Sequence, residues 1–188
     1  MNRFLGALSM RGTFETDFWR TMEREWYARG HTTDTTRTTT TKRDVKVYPN
    51  QAAAGLRTTA PDLAQFVIML NQGGMYDGQR ILESATVDRF LGRDGVSGVG
   101  VREAACSDTG SMQLGIRADQ QTMSDEMFWH GGLHNGYRTF LYGMPQQQTG
   151  LVLLLTGALR TGGSQFTDTE ALRFEIKDAV GNAYGWSF

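Results

Sequence analysis

Residues 137 to 156 read Tyr-Arg-Thr-Phe-Leu-Tyr-Gly-Met-Pro-Gln-Gln-Gln-Thr-Gly-Leu-Val-Leu-Leu-Leu-Thr. Two segments rich in aromatic, aliphatic and threonine residues, Tyr137 to Met144 and Thr149 to Thr156, flank the polar connection Pro145 to Gln148. Such segments are typical of β-strands. Because a short polar connection favours pairing of the strands that it joins, the sequence predicts an antiparallel hairpin over this stretch.

Two helices are predicted before the hairpin. Thr59 can cap the first of them, with Asp62 three residues later and Pro61 suited to the first turn. An apolar stripe at helical spacing follows, formed by Leu63, Phe66, Val67 and Leu70, and the pair Gly73 and Gly74 is expected to end the helix. A second, short helix is predicted from a Ser84 cap to Gly92.

A third helix is predicted at the C-terminal end of the chain. Thr167 and Glu170 have the spacing of a capping box, and Gly181 is expected to end the helix. Its predicted apolar face consists of Leu172, Ile176, Ala179 and Val180. Helices, then paired strands, then a closing helix indicate the α+β class, with helices packed on an antiparallel sheet.

Other segments have weaker patterns. A further strand is predicted over Met112 to Ala118. Residues 32–44 belong to a stretch with eight threonines in fourteen residues, from His31 to Asp44, and lack any apolar periodicity. We expect this stretch to be an exposed, mobile loop within a single domain of residues 1–188.

The composition excludes several classes of protein. The chain has 39% hydrophobic residues and a net charge of −1. It contains no apolar run long enough for a membrane span and no stripe of basic residues that would bind nucleic acid. The one basic cluster, Arg37 with Lys42 and Arg43, is offset by Asp34 and Asp44. A single cysteine, Cys106, excludes an internal disulfide and leaves the compartment of the protein open.

The residue types that carry chemistry are densest in Trp129-His130-Gly131-Gly132-Leu133-His134-Asn135-Gly136-Tyr137. Three interpretations are open: a strand edge with His130 as a proton donor, a metal site made by His130 and His134, or a glycine-rich turn with locally bonded histidines. Adjacent glycines disfavour the helix that would bring both histidines to one metal ion. We therefore expect no metal and no cofactor.

Several stretches together resemble the β-lactamase and penicillin-binding-protein superfamily of serine hydrolases. Tyr-Pro-Asn-Gln-Ala-Ala-Ala-Gly-Leu-Arg-Thr-Thr-Ala-Pro-Asp-Leu-Ala-Gln-Phe (48–66), residues 70–78 and Ile-Leu-Glu-Ser-Ala-Thr-Val (81–87) are similar to the segment that precedes the last strands of that family. His130-Gly131-Gly132 resembles its third motif, which is Lys-Thr-Gly in β-lactamases and often His-x-Gly in relatives. The resemblance implies the C-terminal part of a β-lactamase/DD-peptidase-like fold.

The resemblance also implies roles for individual residues. His130 would donate to the substrate carboxylate or to the reacting oxygen, and the main-chain N–H of Leu133 would form half of an oxyanion hole. Substrate binding would involve Gly131, Gly132, His134, Asn135 and Tyr137. The implied substrate is a small molecule or a peptide that carries a β-lactam, peptide, ester or amide bond.

The sequence departs from the family at the nucleophile. The family uses Ser-x-x-Lys, and no serine of this chain is followed three residues later by a lysine. Tyr48-Pro49-Asn50 matches the family's second motif in letters, but it stands too close to the Ala-Gly-Leu segment. We therefore expect both motifs upstream of Met1. The alternatives are a non-catalytic binding or assembly module, self-associating through an unpaired sheet edge, and a small enzyme that uses His130, Asn135 and Tyr137 alone.

Overall fold

The predicted hairpin is the centre of a five-stranded antiparallel sheet in the computed structural model. The structure describes residues 2–10, 13–14, 28–34, 36, 38–44, 49, 55–91, 93, 111–112, 117–119, 127–159 and 167–186. Arg37, Tyr48, Asn50 and Cys106 lie outside the described residues. The helices among these residues are α1 (Asn2–Ala7), α2 (Ala60–Asn71), α3 (Ser84–Phe90) and α4 (Thr167–Tyr184). Together with the sheet, they confirm the predicted α+β class.

The central sheet has five strands, and their spatial order follows their order along the chain. Its strands are β7 (Ser111–Met112), β8 (Arg117–Asp119), β9 (Met127–His134), β10 (Tyr137–Met144) and β11 (Thr149–Thr156). Each neighbouring pair is antiparallel, so the described part of this sheet is a meander. The strand predicted over Met112 to Ala118 corresponds to β7 and β8, which pair with each other.

Short strands make up three smaller sheets. They are β1 (Thr13–Phe14) with β4 (Leu56–Arg57), β5 (Met75–Tyr76) with β6 (Gln79–Arg80), and β12 (Ala158–Leu159) with β2 (His31–Thr33) and β3 (Thr40–Lys42). The threonine-rich stretch thus contains two short strands where the sequence predicts an irregular loop. The side chains of residues 38–42 are exposed, as expected for this stretch.

Helix α2 begins as its capping residues predict. Thr59 is extended, with φ −104° and ψ 162°, and its hydroxyl accepts a hydrogen bond from the Asp62 N–H at 3.3 Å. After the helix, Gly73 and Gly74 have φ values of 59° and 93°. Glycine adopts this left-handed region without a steric penalty, which is why the chain turns here.

Helix α3 differs from its prediction at the first residue. Ser84 is the first helical residue, and the preceding Glu83 occupies the cap position without a side-chain cap hydrogen bond.

Helix α2 packs on one face of the sheet, which we call the α2 face. Its Val67 and Leu70 lie in one cluster with Phe128 of β9 and Leu141 of β10. The buried Asn71 side chain donates to the Thr149 carbonyl at 2.8 Å, and the Gln148 side chain donates to the Asn71 carbonyl at 2.8 Å. The C-terminal end of α2 is therefore fixed to the turn between β10 and β11.

Helix α4 and Trp186, two residues beyond its end, cover the opposite face, the α4 face. Phe140, Tyr142 and Met144 of β10 form a cluster with Trp186, and Val180 packs against it. The predicted apolar face of this helix is wrong in part: Leu172 is 42% exposed and Ala179 is exposed, whereas Arg173 and Lys177 are 4% and 9% exposed. The helix also continues past Gly181 to Tyr184.

Candidate active site

The histidine- and glycine-rich stretch forms the end of β9 and the turn into β10. Asn135 and Gly136 connect the two strands, with φ values of 32° and 89°. Two successive positive φ values are typical of the type I′ turn, whose twist suits a hairpin. Residues 130 to 134 thus belong to the strand, and the turn is confined to Asn135 and Gly136.

One edge of β9 near the turn has its main-chain groups directed away from β10. His134 pairs with Tyr137 across the two-residue turn, so the residues that bond to β10 are His130, Gly132 and His134. The N–H and C=O groups of the alternate residues, Gly131 and Leu133, therefore point to the other side of β9. On that side β8 pairs only with residues 127–129 among the described strands.

His130 lies at the start of this edge. Alternation along β9 and pairing with Leu141 place it on the α2 face, and its side chain is exposed. Farther from the turn on the same face, Phe128 lies in one cluster with Val67 and Leu70 of helix α2. An exposed imidazole beside outward main-chain N–H groups can donate a proton or a hydrogen bond to a reacting oxygen.

Gly131 and Gly132, which follow His130, have no side chains, and neighbouring residues fill the space that a Cβ atom would need. A Cβ atom on Gly132 would stand 2.5 Å from the Thr139 Oγ1, and one on Gly131 would stand 3.3 Å from the Phe140 ring. Leu133 is 40% exposed. The side chain of His134 lies outside the described part of the structure. The absence of a Cβ atom at Gly131 and Gly132 thus accommodates the Phe140 and Thr139 side chains of β10.

The tip of the hairpin is held by residues from the N-terminal third of the chain. The Asn135 side chain donates to the Asp44 carbonyl at 2.6 Å, and the Tyr137 hydroxyl donates to the Ala28 carbonyl at 2.8 Å. The guanidinium of Arg57 lies 5.9 Å from the centre of the Tyr137 ring. These partners could not be predicted from the sequence, because no local pattern connects them to the hairpin.

The α4 face behind this strand has a different character. Arg138, which pairs with Leu133, lies over the Phe140 ring at 5.1 Å, and Arg173 lies 4.9 Å from the Trp129 and Phe140 rings. Burial, and then the positive charge of Arg173, lower the pKa of the Arg138 guanidinium. This face places arginine guanidinium groups over aromatic rings, whereas His130 on the α2 face is exposed.

Neither a metal cluster nor a membrane span is found in the described ranges. No three His, Cys, Asp or Glu side chains among them come close enough together to hold a metal ion. Within the same ranges, every helix is too short or too polar to cross a bilayer.

Comparison with known proteins identifies the family. The model of the Beta-lactamase family matches residues 7–173, which is most of the chain and includes β9, β10 and β11. A search of curated proteins finds no match. The mixed helices and antiparallel sheets agree with the partial β-lactamase-like fold that the motifs imply. The chain therefore belongs to the β-lactamase-related family of serine hydrolases.

Proposed function

We propose that the chain is the C-terminal part of a serine hydrolase that cleaves a β-lactam, peptide, ester or amide bond through an acyl-serine intermediate. The observation that carries this proposal is the β9 edge, where the Leu133 N–H points away from β10 next to the exposed His130. Residues 1–188 would form one domain and supply one wall of the active site. A Ser-x-x-Lys segment outside these residues would supply the nucleophile.

The proposed reaction gives each residue of this edge a role. The serine Oγ attacks the substrate carbonyl while the lysine takes its proton, and a negative charge develops on the carbonyl oxygen. The Leu133 N–H stabilises that oxygen, because a fixed donor in a site with little water interacts strongly with the developing charge. His130 donates to the substrate carboxylate or to the reacting oxygen.

Substrate binding is proposed for the rest of the stretch. Gly131 and Gly132 would let the substrate lie against the main chain, and His134 would border it. Asn135 and Tyr137 would contribute at the same end of the strand, Tyr137 through its ring, because its hydroxyl donates to the Ala28 carbonyl and the Asn135 amide donates to the Asp44 carbonyl.

The test uses a longer version of the protein that includes a Ser-x-x-Lys motif. We expect it to hydrolyse nitrocefin or a p-nitrophenyl ester, and we expect His130→Ala to lower kcat by about 100-fold or more, as for the loss of a general acid or base. Gln146→Ala is the matched control, because Gln146 is exposed in the turn at the far end of the hairpin. Full activity of His130→Ala would remove His130 from the mechanism.

A second experiment tests where the nucleophile lies. The 188-residue chain and the longer version are each incubated with a fluorescent β-lactam and with a fluorophosphonate, and intact mass is measured. We expect an adduct on the longer version alone. An adduct on the 188-residue chain would reveal a nucleophile within it and would contradict the proposed division of the site.

A non-catalytic assembly module is the second candidate, and β11 favours it. This strand is the last of the described sheet on its side, and it contains neither charge nor proline. Alternation of the ladder with β10 directs the main-chain groups of Val152 and Leu154 outward. A long uncharged edge of this kind can pair with the same strand of a second copy.

Sedimentation of the 188-residue chain tests this candidate. Self-association through β11 predicts a dimer that Leu154→Pro converts to a monomer, since the outward N–H of Leu154 is not needed for pairing with β10. A wild-type monomer at all concentrations would exclude it.

A further inference from the structure

Two segments lie side by side against the tip of the β9–β10 hairpin. They are residues 28–31 and residues 43–44, which we call the brace. The Arg43 N–H donates to the Gly30 carbonyl at 2.8 Å and joins the two segments. The His31 N–H donates to the Gly136 carbonyl at 3.3 Å and joins the brace to the turn.

Side chains of the tip complete the attachment. The Asn135 amide and the Tyr137 hydroxyl donate to main-chain carbonyls of the brace, those of Asp44 and Ala28. Main-chain acceptors are fixed by the backbone that carries them. These bonds therefore set the position of the tip more firmly than bonds to flexible side chains would.

Glycine is required on both sides of this contact. A Cβ atom on Gly30 would overlap the Asn135 carbonyl oxygen and stand 2.8 Å from the Tyr137 ring. Gly136 has a φ of 89°, and a Cβ atom on it would stand 2.6 Å from the His31 nitrogen. Because backbone lies against backbone here, a side chain at either glycine would displace the tip.

We propose that the brace positions the β9 edge for catalysis, with Asn135 and Tyr137 as positioning residues that act through the pairs His134/Tyr137 and Gly132/Thr139. This inference rests on the proposed function and deepens it. Leu133 lies two residues from the turn, roughly 7 Å along a strand. A tip displaced by 1 Å therefore moves the Leu133 N–H by a similar distance, and such errors in a catalytic group lower rates strongly.

Hydrogen exchange in the 188-residue chain tests the structural half of this inference. The reporters are the amides of Gly132, His134, Tyr137 and Thr139, which bond across the hairpin near the tip. Gly30→Ala should speed their exchange by about 10-fold through local opening. The amides of Phe128 and Gly143, at the far end of the same ladder, should be unchanged.

Matched variants separate this effect from a general loss of stability. Gly157→Ala is the control, because a Cβ atom there meets nothing within 4 Å. Tyr137→Phe keeps the ring and removes the bond to Ala28, so it should raise exchange at the tip by about 5-fold, the effect of one lost hydrogen bond. If Gly30→Ala does not fold, Tyr137→Phe decides the test.

Kinetics of the longer protein test the catalytic half. Tyr137→Phe should lower kcat about 5-fold, with KM within about twofold, because the oxyanion contact is stronger in the transition state than with bound substrate.

Three outcomes would contradict these proposals. If the exchange rates of the tip amides are unchanged in the variants, or if those of Phe128 and Gly143 increase equally, the brace is not a local support of the tip. Faster exchange with unchanged kcat would overturn its positioning role. Absence of any hydrolysis by the wild-type longer protein would instead reject the proposed function, whereas exchange still reports on the brace.

Discussion

The ring of Phe128 occupies the space beside Gly143, its partner across the β9–β10 ladder, where a side chain would otherwise stand. Phe128 is 2% exposed and belongs to the cluster between the sheet and helix α2. A Cβ atom on Gly143 would overlap the Phe128 ring, with the ring Cε2 at 2.7 Å. The glycine therefore makes room for a large buried ring within the sheet.

Gly143→Ala should destabilise the protein. The added methyl group forces the buried Phe128 ring to move, at a cost of about 1–3 kcal/mol for overpacking. Urea unfolding followed by circular dichroism measures the change in the free energy of unfolding. Gly157→Ala, which meets no atom within 4 Å, should be neutral or stabilise by up to about 1 kcal/mol. Equal effects of the two substitutions would contradict the packing argument.

Thr59→Ala should lower the free energy of unfolding by about 1 kcal/mol, because the first turn of α2 loses its side-chain acceptor. The bond in question joins the Thr59 hydroxyl to the Asp62 N–H. Thr59→Ser keeps the hydroxyl and should retain most of the stability. A serine variant as unstable as the alanine variant would show that the hydroxyl does not stabilise the helix.

Helix α2 and the hairpin were predictable from the sequence because their determinants are local. A capping residue, an apolar stripe and a polar turn each lie within a few residues of the structure that they specify. The contacts of the brace join residues far apart in the chain, such as Tyr137 with Ala28 and Asn135 with Asp44. No periodicity records such contacts, so this support of the candidate site was not predicted.

The buried face of helix α4 differs from the face that its apolar residues predict. Its apolar residues suggested a buried face around Leu172, but the helix turns Arg173 and Lys177 inward instead. Arginine and lysine carry long apolar stems that pack well while the charged end reaches a partner. The aromatic rings of β9 and β10 favour this choice, because Arg173 lies over Trp129 and Phe140.

Substitutions in α4 should follow the observed face. Leu172→Gln should change the free energy of unfolding by less than about 0.5 kcal/mol, as for a surface site, whereas Arg173→Ala should lower it by about 1–3 kcal/mol. Thermal and urea unfolding of both variants measure the difference. A larger loss in the free energy of unfolding for Leu172→Gln than for Arg173→Ala would contradict the observed buried face and support the face predicted from the sequence.

The turn between β2 and β3 should respond to acid through Asp34. Desolvation raises the pKa of this carboxyl group, but hydrogen bonds from the Thr39 and Thr38 N–H groups and from threonine hydroxyls outweigh it, so the pKa lies below its usual value. Because the pKa of Asp34 in the folded protein lies below the unfolded value of about 3.9, the ionised carboxylate stabilises the turn at pH values above about 3.9. This stabilisation is lost as the pH falls through the folded pKa.

Titration by NMR of the Asp34 carboxyl carbon and of the Thr38 and Thr39 amides measures this response. The amide shifts should change at the same pH as the carboxyl group, below the midpoint for an aspartate in an unfolded peptide. In Asp34→Asn the acid-induced change at both amides should disappear. A carboxyl midpoint at or above the peptide value would contradict the hydrogen-bonded turn.

The brace and the meander differ in how much chain lies between their contacts, and this difference bears on the order of folding. Strands β9, β10 and β11 follow one another through short turns, so their pairing closes small loops. Docking of residues 28–31 and 43–44 on the hairpin tip closes loops of roughly 90 residues or more, which costs more chain entropy and slows contact formation. During synthesis the brace leaves the ribosome before the β9–β10 hairpin, so its contacts with the hairpin tip can form only after the hairpin has been made. We therefore expect the meander to form early and the edge at His130 and Leu133 to reach its final geometry last.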